Sequence, residues 1–177
     1  MLSSPLQKMN IREALLAEHS KRQTLEIVRH IDGDPERFAE LMRLFLGPVY
    51  RLSQRAAWAV NYCAEHQNEL VKPYFGKLVA CLERDDVPDA VRRNVARMLQ
   101  FVEIPKRYQG RVFDACLALV DDPRQAIAIR CFSMTVATRL SAGKPALLNE
   151  LRLVADKHAS NFSAGMRVRA RRLTTAK

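Results

Sequence analysis

Arginines supply the chemistry this sequence has to offer, and their spacing is regular. Arg55, Arg92, Arg130 and Arg167 follow one another at intervals of 37, 38 and 37 residues. A guanidinium is a planar fork of five donors with no acceptor, so it suits carboxylate, phosphate or carbonyl oxygen. Two roles fit such a series: a tie within the fold, or a ladder that binds phosphate or acidic peptide. Arg51, Arg93, Arg97 and Arg139 stand outside that series. The run Arg167, Arg169, Arg171 and Arg172 to Lys177 carries five cations and no acid. It reads either as a solvated helix end, favoured there by the helix dipole, or as a phosphate-contacting patch. Trp58, the sole tryptophan, comes three residues after Arg55, with Tyr62 one turn on. They are either core or a stacking platform.

Other constellations that carry chemistry are missing. His19, His30, His66 and His158 show no His-Glu-x-x-His spacing, and there is no Gly-rich phosphate loop or Gly-x-Ser-x-Gly elbow. Asp85-Asp86 and Asp121-Asp122 fall in turns, where capping accounts for paired acids. Cys63, Cys81, Cys116 and Cys131 lie far apart on apolar stretches, with no Cys-x-x-Cys pair. That pattern suits buried thiols acting as small hydrophobes and not a metal site. No cofactor, metal ion or small-molecule substrate is indicated, and the chain reads as a non-enzymatic binding module.

The elements that must position these arginines are helices. With 48% hydrophobic and 27% charged residues among 177, the composition is that of one globular domain rather than a disordered chain. The spacing predicts helices over 7–18, 20–32, 34–45, 49–66, 69–84, 88–102, 107–121, 124–141, 145–158 and 164–175. Ser20 with Gln23 reads as a capping box, and Asp34-Pro35-Glu36 as a restart after Gly33. Ile104-Pro105 marks a break, because the residue before proline is pushed out of the helical region. No stretch alternates with a period of two, so a sheet is not expected. No apolar run reaches the ~18–20 residues of a membrane span, and no signal sequence is evident, so the expected location is cytoplasmic. A net charge of +10 favours acidic partners.

The arginine period extends to whole columns. Fourteen residues before each arginine stand Leu41, Leu78, Cys116 and Leu153; ten before stand Phe45, Leu82, Val120 and Lys157. Three after stand Trp58, Val95, Ser133 and Ala170; six after stand Asn61, Met98, Val136 and Leu173. In the last copy Asp156, Lys157, Arg171 and Thr174 fall at core-like offsets, as expected of a terminal unit that meets water.

These columns resemble HEAT repeats. The family pattern, an aspartate-bearing turn followed by Val-Arg-x-x-Ala at the start of a second helix, stands here as Asp85-Asp86 before Val91-Arg92-Arg93-Asn94-Val95-Ala96. It recurs as Asp121-Asp122-Pro123 before Ile129-Arg130. The first copy, Gln54-Arg55-Ala56-Ala57-Trp58, lacks the aspartate. The resemblance implies an all-α, right-handed α-α superhelix, a HEAT/ARM-like solenoid of about five two-helix repeats. Its repeats would be 1–33 (degenerate), 34–67, 68–104, 105–143 and 144–177, as one domain. It further implies that the repeated arginine hydrogen-bonds the aspartate-bearing turns and ties adjacent repeats together. Second helices in such stacks line the concave surface, which makes Arg51, Arg93, Arg97, Arg139 and Trp58 the candidate basic face. Arg167, Arg169, Arg171 and Arg172 form a candidate C-terminal patch.

The chain also looks like short bacterial HEAT-like proteins sometimes named adenylosuccinate lyase. Lyases of that name are longer, bundle-forming chains with a Gly- and Ser-rich catalytic loop, and no such loop stands here. The expected partner is a protein with an acidic surface. The alternative is nucleic acid, since the bacterial alkylpurine DNA glycosylases also use HEAT-like repeats; the catalytic aspartate of that family has no counterpart at a matching motif.

Overall fold

The computed structural model describes residues 9–175, with side chains as far as Leu173, and shows helices and no strand among them. The chain divides into two compact units, Met1–Leu70 and Val71–Lys177.

The first unit holds α1 (Ile11–Ala17), α2 (Lys21–Ile31), α3 (Pro35–Phe45) and α4 (Tyr50–His66). The helix expected from residue 7 begins at Ile11, because Asn10 is extended and its Oδ1 accepts from the Glu13 amide at 3.2 Å; residues 7 and 8 lie outside the described residues. Ser20 Oγ accepts from the Gln23 amide at 3.1 Å. The Gln23 side chain donates to the Ala14 carbonyl instead of turning back, so the capping box is half formed and α2 is tied to α1. Asp32 and Gly33, both at positive φ, turn the chain into α3. There Asp34 Oδ1 accepts from the Glu36 and Arg37 amides at 2.8 and 3.1 Å. Helix α4 packs on α1, α2 and α3. It does so on several faces at once because those faces carry small residues, Ala56, Ala57, Ala59 and Ala64, all buried.

The second unit alternates two layers. Its helices are α5 (Phe75–Glu83), α6 (Asp89–Met98), α7 (Lys106–Asp121), α8 (Ile127–Leu140), α9 (Pro145–His158) and α10 (Ala164–Thr175). Consecutive helices pair as α5 with α6, α7 with α8 and α9 with α10. First helices lie side by side, α5 on α7 and α7 on α9, and second helices do the same, α6 on α8 and α8 on α10. The helix expected over 69–84 is two pieces, a 3-10 segment Asn68–Tyr74 and then α5. Pro73 removes an amide donor inside that stretch. Helix α8 starts at Ile127 rather than 124, because Asp122 Oδ1 caps the Arg124 amide and holds 122–126 as a turn.

The predicted first-helix columns are core through three copies and then slip. Leu41, Leu78 and Cys116 are fully buried, as are Phe45 and Val120. Leu153, the expected fourth member, is 71% exposed, and Leu151 is 0% exposed in its place. Ala155, not Lys157, likewise fills the position of Val120. The second-helix register nevertheless holds, since Met166 and Leu173 are buried. The last repeat therefore has two extra residues between its helices, accommodated by a 3-10 turn at Ala159–Asn161. Asp156 and Lys157 are exposed as expected of a terminal unit, but because the register has shifted and not because core positions turned polar. Thr174 lies beyond the described side chains.

Candidate binding surface

The repeated arginines end on main-chain oxygen. Arg55 Nη1 donates to the carbonyls of Leu15 and Leu16 in the last turn of α1, at 2.8 and 3.0 Å. Arg130 gives Nε and Nη2 to the Val120 carbonyl at 3.1 and 2.8 Å. Arg92 donates to the Arg84 carbonyl, and Arg167 to that of Phe162. The last carbonyls of a helix lack an amide partner within it, so a guanidinium arriving from another helix satisfies them at the ends of α1 and α7 and favours the negative dipole end there. Arg92 and Arg130 thus meet the backbone at the entrance of the Asp85-Asp86 and Asp121-Asp122 turns, and among the described residues neither bonds an aspartate carboxylate directly. Asp86 and Asp122 are bound by their neighbours Arg84 and Arg124, each at 2.9 Å. Arg92 reaches an aspartate side chain indirectly: its Nη1 meets Gln125 Oε1 at 3.1 Å, and Gln125 Nε2 donates to Asp122 Oδ2 at 3.1 Å. That chain does link one repeat to the next.

Two further ties escaped the period. Arg139, a candidate for the ligand face, donates to the Gln100 and Val102 carbonyls at 2.8 and 2.6 Å, and desolvation lowers its pKa. It also lines an open recess of about 450 Å³ with Gln109 and Lys144. Arg152 gives Nε and Nη2 to the Leu173 carbonyl at 3.1 and 2.7 Å, which closes α9 on α10. Neither residue belongs to the 37-residue column, and a carbonyl target leaves no mark in sequence.

The remaining candidates separate by unit. In the first, Arg51 is exposed, and Trp58 is half-buried with its ring against His19, edge-on at 5.9 Å, and against Tyr62 at 6.4 Å. In the second, Arg93 and Arg97 are exposed one turn apart on α6, and their side chains make no hydrogen bond or ion pair among the described residues. The C-terminal patch divides. Arg167 and Arg169 are engaged, the latter through Nε to Thr135 Oγ1 at 2.9 Å and Nη1 to the Gly165 carbonyl at 3.1 Å. Arg171 and Arg172 are exposed; Lys177 lies outside the described residues.

Charge sorts by layer in the second unit. Helices α6, α8 and α10 carry nine arginines and one acid, Asp89. Helices α5, α7 and α9 mix both signs and pair them, as in Arg111 with Glu83 at 2.6 Å and Lys157 with Asp121 at 2.7 Å. Lys157, and after it His158 through Nε2 at 2.7 Å, hold the Asp121 carboxyl below its usual range. The thiols of Cys63 and Cys116 are pushed up to about 12 by burial. Among the described residues no group of His, Cys, Asp and Glu is placed to hold a metal ion, and no helix is long and apolar enough to cross a membrane.

The profile of a known family, described as a HEAT repeat domain, matches residues 11–177. Among curated proteins and among solved structures, none matches the chain.

Proposed function

The chain belongs to the HEAT repeat domain family, and on that premise we propose that it is a non-enzymatic, cytoplasmic scaffold that offers the basic face of its second helices to an acidic protein partner. HEAT repeats generally serve as protein-binding scaffolds. The observation that carries the finer reading is the sorting of charge: nine arginines against Asp89 on one layer, with paired charges on the other. Five of those arginines, Arg92, Arg130, Arg139, Arg167 and Arg169, are engaged within the fold. Arg93 and Arg97 are the members best placed for a partner. The five helix pairs 1–33, 34–67, 68–104, 105–143 and 144–177 are the units this reading assigns to the repeats.

Pull-down from a bacterial lysate tests it. A specific partner should be enriched and should be lost with Arg93→Glu plus Arg97→Glu. Retention of the partner by that double variant would remove the basic face from the interaction.

The four arginines of α10, with no acid among them, favour a second reading, in which the partner is nucleic acid. If four or five arginines neutralise phosphates, log affinity for duplex DNA falls with log salt at a slope of about −4. Absence of DNA binding at low salt eliminates it.

A further inference from the structure

The outward line of α8 differs in kind from those of its neighbours. Ala128, Phe132, Thr135 and Arg139 escape full burial along it, at steps of four, three and four. By the 38- and 37-residue register, Phe132 holds the position that Asn94 has on α6 and Arg169 on α10. An aromatic ring thus stands where the flanking helices carry polar side chains. Ile127, at the start of the same helix, is 61% exposed.

The contacts between α8 and α10 indicate what surrounds that ring. Arg169 reaches back from α10 to Thr135 on α8. Phe132 and Arg97 are the equivalent pair one repeat earlier, and since stacked repeats reuse one geometry, the register sets the ring beside Arg97. A Cβ on Gly165 would lie 3.3 Å from Cys131 Sγ, so α10 approaches α8 closely there. Arg93 and Ala128 are the equivalents of Cys131 and Gly165, which sets Arg93 beside Ala128. Gly165 also has no side chain to lay over the start of α8. Ile127 precedes Cys131 by one turn, on the side of α8 that faces α10, and as the first residue of the helix beside that glycine it stays exposed.

We propose that this surface receives one helix of a protein partner, apolar along one ridge and acidic beside it. The ridge packs on Ile127, Ala128 and Phe132, where the small Ala128 admits it between the two larger side chains. The acids meet Arg93 and Arg97. The proposal rests on the acidic-partner reading above and gives that partner a shape. An apolar ridge on an amphipathic helix is what such a surface can desolvate, whereas a phosphodiester backbone or a solvated acidic coil makes no use of it. The two exposed arginines steer an acidic helix and fix its orientation, while the apolar contact sets how long it stays.

Fluorescence anisotropy on the full chain tests this with three labelled probes. The first is a helix-forming peptide of about five turns with a leucine ridge and flanking glutamates. The second replaces its leucines by serine, and the third is a duplex DNA oligonucleotide. The leucine peptide is expected to bind at least about tenfold more tightly than the serine peptide, and Ile127→Thr and Phe132→Ser each to weaken it about fivefold. Ile127 is an exposed residue, so its variant decides the matter should Phe132→Ser fail to fold. Equal binding of the two peptides, both lost on Arg93→Glu plus Arg97→Glu, overturns the helix proposal and leaves the acidic-partner reading standing. DNA binding tighter than either peptide overturns both, and binding of no probe overturns the helix proposal.

Discussion

Arg130 at the start of α8 and Val120 at the end of α7 share one carbonyl oxygen between two guanidinium donors, at 3.1 and 2.8 Å. Both residues are buried, so the carbonyl has little access to water as a substitute partner. Hydrogen bonds from a charged donor contribute more than neutral ones, and a buried acceptor left alone retains its desolvation cost. Arg130→Ala is therefore expected to lower stability by about 2–3 kcal/mol in chemical denaturation. Arg130→Lys should recover only part, because an ammonium cannot reproduce the fork. Arg93→Ala, on an exposed side chain with no partner among the described residues, should stay within about 0.5 kcal/mol of the parent. Equal losses at Arg93 and Arg130 would contradict the division between ties and free cations.

Leu151 and Leu153 give the sharpest test of where the last repeat sits. A charge placed at a fully buried position must be desolvated or neutralised, and the penalty approaches the whole stability of a domain. Leu151→Asp is expected to abolish cooperative unfolding of the second unit, as is Leu78→Asp at the equivalent position. Leu153→Asp should change the melting temperature by no more than a degree or two, within the ~0.5 kcal/mol range of surface substitutions. The period taken alone predicts the reverse order for Leu151 and Leu153, so circular dichroism melts of the two variants distinguish the structures directly.

The contrast between those two leucines shows what sequence reading could and could not reach. Helix positions were legible because Asp34-Pro35, Ile104-Pro105 and Gly143 act through local backbone preferences that need no tertiary context. The arginine column was legible because each repeat reuses one geometry. Its target was not, since a carbonyl oxygen such as that of Val120 belongs to every residue type equally. The two-residue insertion at Ala159–Asn161 was hidden because Leu151 and Leu153 are both leucines, and only packing tells them apart. Pro73 could have warned that the 69–84 helix would break. Ile127 and Phe132 were visible as apolar residues of a helix but not as a surface, because which face of α8 its neighbours cover is settled only by the fold.

Asp121 makes stability depend on acidity. Lys157 and His158 both bond its carboxylate, which lowers its pKa below the ordinary value. A carboxyl with a depressed folded pKa contributes stability that is present above its unfolded pKa, near 4, and lost as pH falls through the lower folded value. The side chain is more than a third exposed, so solvent screening keeps the contribution under about 1 kcal/mol. Asp121→Asn should thus lower the denaturation midpoint at pH 7, and the gap between variant and parent should narrow progressively as pH falls below about 4. A gap that persists unchanged at acid pH would mean that the asparagine perturbs packing and that the ion cluster contributes nothing.

Cysteine reactivity reports on the packing of both units independently. Burial raises the thiols of Cys63 and Cys116 to about 12, and the thiolate is the reactive form. At pH 8 a thiol with that pKa has about a thousandfold less thiolate than an ordinary one, before access is considered. Cys81, half-buried on α5, is also raised by burial but stands closer to solvent. Alkylation of the native chain followed by mass spectrometry should therefore modify Cys81 before either Cys63 or Cys116, and both of these should react promptly in denaturant. The two slow thiols lie in different units, so early labelling of only one would identify the unit that opens first. Rapid labelling of Cys116 in the folded chain would show that the column shared by Leu41, Leu78 and Cys116 is not the core it is taken to be.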